Sequence, residues 1–446
     1  MLVGLFNVIK GLFYIEALRK RLFYTTFVLA VYRLGKHIPL PGIDLPALGV
    51  LKASFTGGGI LGYLNTVTGG AITSCSLFSL GISPYIQASI IMQVAQFAFP
   101  TLEMIAKEGE IGRATISRYT RYLAAVLSII QGIGLVGWLE RGLGTGIQLV
   151  VDPDWVFRLK ALVMLSVGAL FVMWLGEQIS RFGIGQGSSI LVFAGIVSSA
   201  PVTILHVIEG VMHQEIPIIS LLATSLFILF LTGCIIFLEK GERRVPVCYA
   251  KRIIGRASAS FSGVTSYLPF KINPAGVMPV ILTQPVLAMM ANGLDYLTKS
   301  FAPDTFLNGL FLNEAAGYNV LMVLFIILFN FNYLTMIVNV TDIADNLRKS
   351  SGFIPGIRPG VKTMEYIDHL LVRIGTPGAI YMAVLAVIPS LARYYFSLPF
   401  FVTGLSLLIA VGVALDTSSQ VEAYFVENRY EGFILNSGIG RASYNR

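Results

Sequence analysis

The sequence predicts an all-α membrane protein built from ten transmembrane helices and one re-entrant piece. Three observations predict it. The 446 residues are 55% hydrophobic and only 13% charged, with a mean hydropathy of +0.75, whereas an ordinary globular chain is about 25% charged. Nearly all of the chain divides into stretches almost free of Asp, Glu, Lys and Arg, long enough to cross about 30 Å of hydrocarbon as helix. The basic residues collect between alternate pairs of those stretches. A water-soluble enzyme is excluded. The formal charge of +8 suits anionic lipid, RNA phosphate or an acidic protein partner, without choosing among them.

In chain order, Met1 to Arg21 alternates Leu2, Leu5, Val8, Ile9 and Leu12 with a basic end at Arg19, Lys20 and Arg21. This predicts an amphipathic helix on the inner membrane surface. A cleaved leader would carry its charges ahead of the apolar run. The first span runs from Leu22 to Leu40, with Arg33 and Lys36 toward its far end. Ala53 to Leu102 follows without a charge, 50 residues that would measure about 75 Å as one helix. Glycine breaks at Gly57-Gly58-Gly59 and Gly69-Gly70 leave a piece of re-entrant length between them. Irregular backbone survives at membrane depth only when protein shields it or it lines a water-filled cavity. A bundle with an interior is therefore implied. The second span runs from about Ser76 to Pro100. The remaining spans are 122–139, 155–176 once Arg158 and Lys160 snorkel, 182–208, 216–238, 272–294, 315–341, 374–392 and 394–415. Ten spans put both termini on one side, and 24 of the 32 Lys and Arg residues fall there. By the positive-inside rule that side is cytoplasmic.

Catalytic and metal chemistry have no candidate. Cys75, Cys234 and Cys248 are in no ligand or disulfide spacing and read as structural thiols. The cluster Gly183-Ile184-Gly185-Gln186-Gly187 lacks the lysine and the preceding strand of a phosphate loop. His206 and His213 have no carboxylate at ligand spacing, and no nucleophile or zinc-protease motif occurs. No cofactor is expected. Ion-coupled transporters need ionisable groups at membrane depth, and the spans are nearly clear of them. Arg33 is the main exception and reads as an interhelical brace. Asp342 and Asp416 fall at the cytoplasmic ends of the eighth and tenth spans.

A family likeness covers almost the whole chain. It is carried by IPLPGID at 38–44, GISPYIQASIIMQ at 81–93, KEGEIGRATISRYTRYLA at 107–124 and WLGEQISRFGIGQGSSILVFAGIV at 174–197. YAKR at 249–252, LPFKINPAGVMPVI at 268–281 and FIPGIRPG at 353–360 complete it. On these motifs the chain resembles the SecY family, channel subunits of the bacterial protein-conducting translocon. The resemblance implies two inverted five-helix halves around a central pore that opens sideways to lipid between spans 2/3 and 7/8. The halves would be 22–210 and 211–424, after the 1–21 helix and before a cytoplasmic tail at 425–446. The re-entrant piece resembles the family's plug, about 58–68, with Gly58, Ile60, Leu61, Tyr63 and Leu64.

The same likeness assigns a pore ring to Ile82, Ile86, Ser188, Val192, Met278 and Ile409. Ile82 and Ile86 are one helical turn apart and share a face. An apolar collar gates ions by dewetting, and Met278 is unbranched and adaptable. Ser188 departs from the family's apolar pattern and wets the collar. Loop 239–276, with Arg243, Arg244, Lys251, Arg252 and Arg256, and loop 342–373, with Arg348, Lys349 and Arg358, resemble the projections that dock ribosome or motor. Where the family often has two adjacent basic residues, this chain has Arg256 followed by Ala257. Arg358, in a turn stiffened by Pro359 and Gly360, is the foremost candidate for motor coupling. Gln87, Gln93 and Gln131 are candidates for hydrogen bonds across spans at the lateral gate, whose helices Pro84, Pro279 and Pro285 loosen.

The implied function is passive conduction of unfolded secretory polypeptides across the membrane, with hydrophobic signal peptides released laterally into membrane lipids. The implied partners are the small SecE and SecG membrane subunits, the SecA ATPase and the ribosome. The implied location is the bacterial inner membrane. A secondary transporter, also built on inverted repeats and broken helices, is the competing class, but it needs a charged or unwound midplane site. A structural scaffold would leave the re-entrant piece unexplained.

Overall fold

A computed structural model describes residues 15–44, 46–48, 68–140, 149–213, 217–249, 264–283, 286–287, 290, 316–338, 340–396 and 404–436. The elements, in order, are helices α1 (Glu16–Gly35), α2 (Ser83–Ala98), α3 (Pro100–Lys107), α4 (Glu110–Glu140), α5 (Trp155–Phe182), α6 (Gly187–Met212) and α7 (Ile218–Lys240). Strands β1 (Glu242–Tyr249) and β2 (Val264–Lys271) follow, then α8 (Ala316–Ile337), α9 (Val340–Lys349), β3 (Gly352–Phe353), α10 (Val361–Phe396) and α11 (Gly404–Asn436). Among the described residues, five helices are long and apolar enough to cross a membrane, or six if α2 and α3 form one bent span. The chain is a multi-pass membrane protein.

The chain divides into two compact units, Met1–Met212 with Val413–Arg446, and His213–Gly412. In the first, α1 buries one stripe, Leu18, Thr25, Val28, Tyr32 and Gly35, at helical spacing. The helix starts at Glu16, so Arg19, Lys20 and Arg21 fall in its first turns, and the rest of the expected surface helix, 1–14, lies outside the described residues. It stops at Gly35, short of Leu40, because Pro39 and Pro41 remove backbone donors and Gly42 adopts φ +88°. The chain beyond pairs outward instead. Pro39 bridges Ser76, and Leu40 N–H reaches the Cys75 carbonyl at 2.9 Å.

The second span begins later than its composition suggests. Residues 76–82 form buried turns, with Gly81 at φ +54° and the Ser79 hydroxyl donating to the carbonyls of Ala71 and Ser76. The helix proper opens at Ser83 with Pro84 in its first turn, where a missing N–H costs nothing. It ends at Phe99, extended at φ −116°, ψ 111° ahead of Pro100, and α3 leaves at 106°. A residue before proline is pushed out of the helical region, which accounts for the break.

Helix α4 packs against both α2 and α5 through Gly112, Thr120, Ala124, Ser128, Gly132, Val136 and Leu139. Small residues about one turn apart let neighbouring backbones approach, as in membrane helix pairs generally. At the far end of α4, Glu140 accepts from Arg158 at 2.7 Å, so the arginine expected to snorkel has a carboxylate partner. The last helix, α11, contributes to both units. Its Gln420 side chain accepts the Gly185 N–H at 2.9 Å, and Arg21 donates to the Tyr424 hydroxyl at 2.6 Å. Residues 413–424, grouped by sequence with the C-terminal half, thus pack with the first unit.

In the second unit the sequence expectation of a plain basic loop gives way to an antiparallel sheet, order β2-β1-β3. Its inner face, Val245, Val247 and Phe270, shares an apolar core with Leu334 of α8, Leu347 of α9, Ile354, and Ile367 and Leu371 of α10.

Candidate pore and docking sites

The predicted ring residues of the first unit converge where α2, α5 and α6 meet. Ile82 caps α2, and the Ile86 N–H donates to its carbonyl at 3.1 Å, so the two do share a turn. Both are buried, as is Val192, while Ser188 is half-buried. Two glycines make this convergence possible. A Cβ on Gly176 would lie 3.2 Å from Ile82 Cδ1 and 3.3 Å from Leu191 Cδ1, and one on Gly187 would lie 1.8 Å from the Gly176 carbonyl oxygen. The Ser180 hydroxyl clamps the same corner, donating to the Gly176 carbonyl and accepting the Gly187 N–H at 2.9 Å. The first turn of α6, which carries Ser188, is therefore seated directly on α5. In the second unit Met278 is half-buried at the start of a helical turn and Ile409 is fully buried. Gly412 abuts Val277, whose Cγ2 would stand 1.9 Å from an added Cβ. This packs α11 against the segment that carries Met278. The plug residues Gly58, Ile60, Leu61, Tyr63 and Leu64 lie outside the described residues.

Two of the three glutamines meet. Gln131 of α4 donates to Gln87 Oε1 of α2, and Gln87 Nε2 donates to Ser83. Gln93 bonds Ser89 in its own helix instead. Arg33 donates to the Ser198 carbonyl of α6 at 3.3 Å.

The residues predicted to dock a partner come together in a way that their spacing conceals. Arg243 and Arg244 are exposed on β1, and Arg348 and Lys349 close the last turn of α9, where cations suit the helix dipole. Arg358 is exposed between Gly356 at φ +84° and Gly360 at φ +104°, and its carbonyl accepts the Thr363 hydroxyl. Strand pairs Cys248 with Phe353 and Tyr249 with Gly352 fasten the two loops into one body. Lys251, Arg252 and Arg256 lie outside the described residues, as does Ala257.

Comparison with known proteins decides the family. The SecY family model matches residues 76–418. The chain belongs to the SecY family. Protein translocase subunit SecY of Aquifex aeolicus is 36% identical over 96% of this chain and 99% of its own length. That of Escherichia coli K12 is 39% identical over 95% of each. Among solved structures, a protein conducting channel matches with a TM-score of 0.65 over 91% of this chain and 92% of its own, at 16% identity. Sec61 in the canine ribosome-channel complex matches at 0.62, over 91% and 92%, also at 16% identity. These last two bear on the fold, which is the helical SecY channel fold.

Against that SecY framework, two clusters had escaped the sequence reading. Arg121 of α4 pairs with Glu177 of α5 at 2.7 Å; both stand inside the family motifs, yet nothing in their spacing joins them. Glu239, Asn273 and Asn330 form a buried polar chain in the second unit. Its sequence signal is the presence of asparagines, Asn330 among them, in the apolar helix α8, since polar groups in membrane helices are expensive to keep.

Proposed function

We propose that the chain is a protein-conducting channel of the bacterial inner membrane, with both termini cytoplasmic, ten spans in two inverted halves, and a plug about 58–68. Unfolded polypeptide would pass an apolar ring of Ile82, Ile86, Val192, Met278 and Ile409, interrupted by Ser188. Hydrophobic segments would leave sideways, because apolar surface partitions to lipid from a watery pore. The observation that carries this reading is the near full-length relation to SecY translocase subunits, joined to the packing of Ile82 at the α5–α6 corner.

The energy would come from outside, through SecA or a ribosome held by Arg243, Arg244, Arg348, Lys349 and Arg358. Support comes from the union of both basic loops in one sheet and from the ribosome-bound state of the Sec61 relative. SecE and SecG would complete the assembly. The test is crosslinking of a stalled secretory chain to probes at positions 86 and 409. Adducts at both positions are expected, and labelling by lipid alone would overturn the pore assignment.

A further inference from the structure

The basic hairpin is joined to the membrane helices by two different kinds of contact, and both reach α8. Helix α8 buries one stripe, Met322, Ile326, Asn330 and Leu334, each four residues from the last and so on one face. Leu334 enters the apolar core beneath the sheet with Val245, Val247 and Phe270. Asn330, one turn deeper, meets the root of the hairpin instead. That root is closed by the Ile272 N–H donating to the Gly241 carbonyl at 2.9 Å. Next to it, Asn273 Nδ2 donates to Glu239 Oε2 at 3.3 Å and to the Gly276 carbonyl at 2.9 Å. Asn330 Nδ2 then reaches Asn273 Oδ1 at 3.5 Å. Glu239, Asn273 and Asn330 are 6%, 2% and 1% exposed.

The Asn330 end of this chain is not fully satisfied. The Asn330–Asn273 contact stands at the outer limit of a hydrogen bond, and Asn330 Oδ1 has no partner although it is buried. Buried polar atoms without partners are few in native proteins, because the desolvation of each goes unrepaid. Displacement of the root relative to α8 would shorten or break this long contact, and a contact that changes with displacement is what a coupling element needs.

We propose that Glu239, Asn273 and Asn330 are positioning residues that transmit displacement of the docked hairpin to α8, so that a motor bound at the basic surface acts on the wall of the channel. The inference rests on the docking reading above. Leu334 supplies a stiff apolar contact, while the polar chain supplies the contact that changes.

The test uses the full chain with its small subunits in proteoliposomes, purified SecA ATPase and a secretory substrate. Asn330→Leu removes both amide groups at similar volume. Asn332→Leu, on an exposed position of the same helix, is the control. In Asn330→Leu, SecA should bind with unchanged affinity while transport at saturating SecA falls about fivefold or more, the range of ordinary coupling free energies. Asn273→Ala should show the same loss, and the double variant no further loss, as partners in one network do. Unchanged transport in Asn330→Leu would overturn the proposal. So would a fall in SecA affinity that accounts for the whole defect, since the cluster would then only hold the hairpin's shape. If the unaltered chain fails to bind SecA, the docking reading itself is wrong.

Discussion

Gln131 of α4 donates its amide to Gln87 Oε1 of α2, and both residues belong to the first unit. The bond therefore stiffens one wall of the proposed lateral opening. Gln131→Leu should destabilise that wall by about 0.6–2 kcal/mol, the range for hydrogen bonds between membrane helices. The readout is a lower thermal midpoint of the purified complex. Gln93→Leu should not shift it, because Gln93 bonds only within its own helix.

The glycine corner predicts a larger effect. Gly187→Ala places a Cβ 1.8 Å from the Gly176 carbonyl oxygen, a backbone atom that cannot rotate away. The α5–α6 packing must open, at a cost of about 1–3 kcal/mol or more. Recovery of folded protein by size-exclusion chromatography should drop sharply, and a normal yield would contradict the packing described.

Ser188 puts a hydroxyl at the proposed collar. Ser188→Ile should tighten the dewetted seal and lower resting ion conductance severalfold. Planar bilayer recordings of the two channels would measure this, and equal conductance would sink the idea.

Arg358 is exposed in its turn between two left-handed glycines, with its side chain free to meet a partner. Arg358→Glu reverses charge without touching the core, so the complex should assemble normally while motor-driven export is abolished. Wild-type export by that variant would remove Arg358 from the docking surface.

The sheet offers a covalent check. Cys248 and Phe353 are directly paired antiparallel residues, so their Cα atoms stand about 4.5–5.5 Å apart, within disulfide reach. Phe353→Cys should crosslink to Cys248 under mild oxidation, giving a mobility shift that reductant reverses. Absence of that shift, with Cys248 still alkylated after oxidation, would show that the two loops are not fastened as described.

Much of the fold was legible from residue order. The helices α4, α5, α7, α8 and α10 lie on the charge-poor stretches expected of spans, because lipid forces every backbone polar group into intrahelical bonds. The sheet was not legible. Pro246 interrupts β1, and a proline argues against a central strand; it is tolerated because β3 reaches only Cys248 and Tyr249. The start of α2 was misjudged because apolar turns around Cys75 and Gly81 carry the same composition as a span. At the site, Ile82 and Ile86 were placed on one turn by their spacing, whereas the Gly176 and Gly187 contacts that seat them were not foreseen.

The sequence by itself determined that the chain crosses a membrane repeatedly and which family's motifs it carries, since hydropathy and motif order are properties of residues in line. Only the tertiary structure decided that two loops more than a hundred residues apart form one sheet, that Gln131 finds Gln87, and that Asn330 meets the hairpin root. Those contacts depend on which faces of distant helices are packed together. That is a choice made by complementary shape and by the need to satisfy buried polar groups, and no local pattern records it.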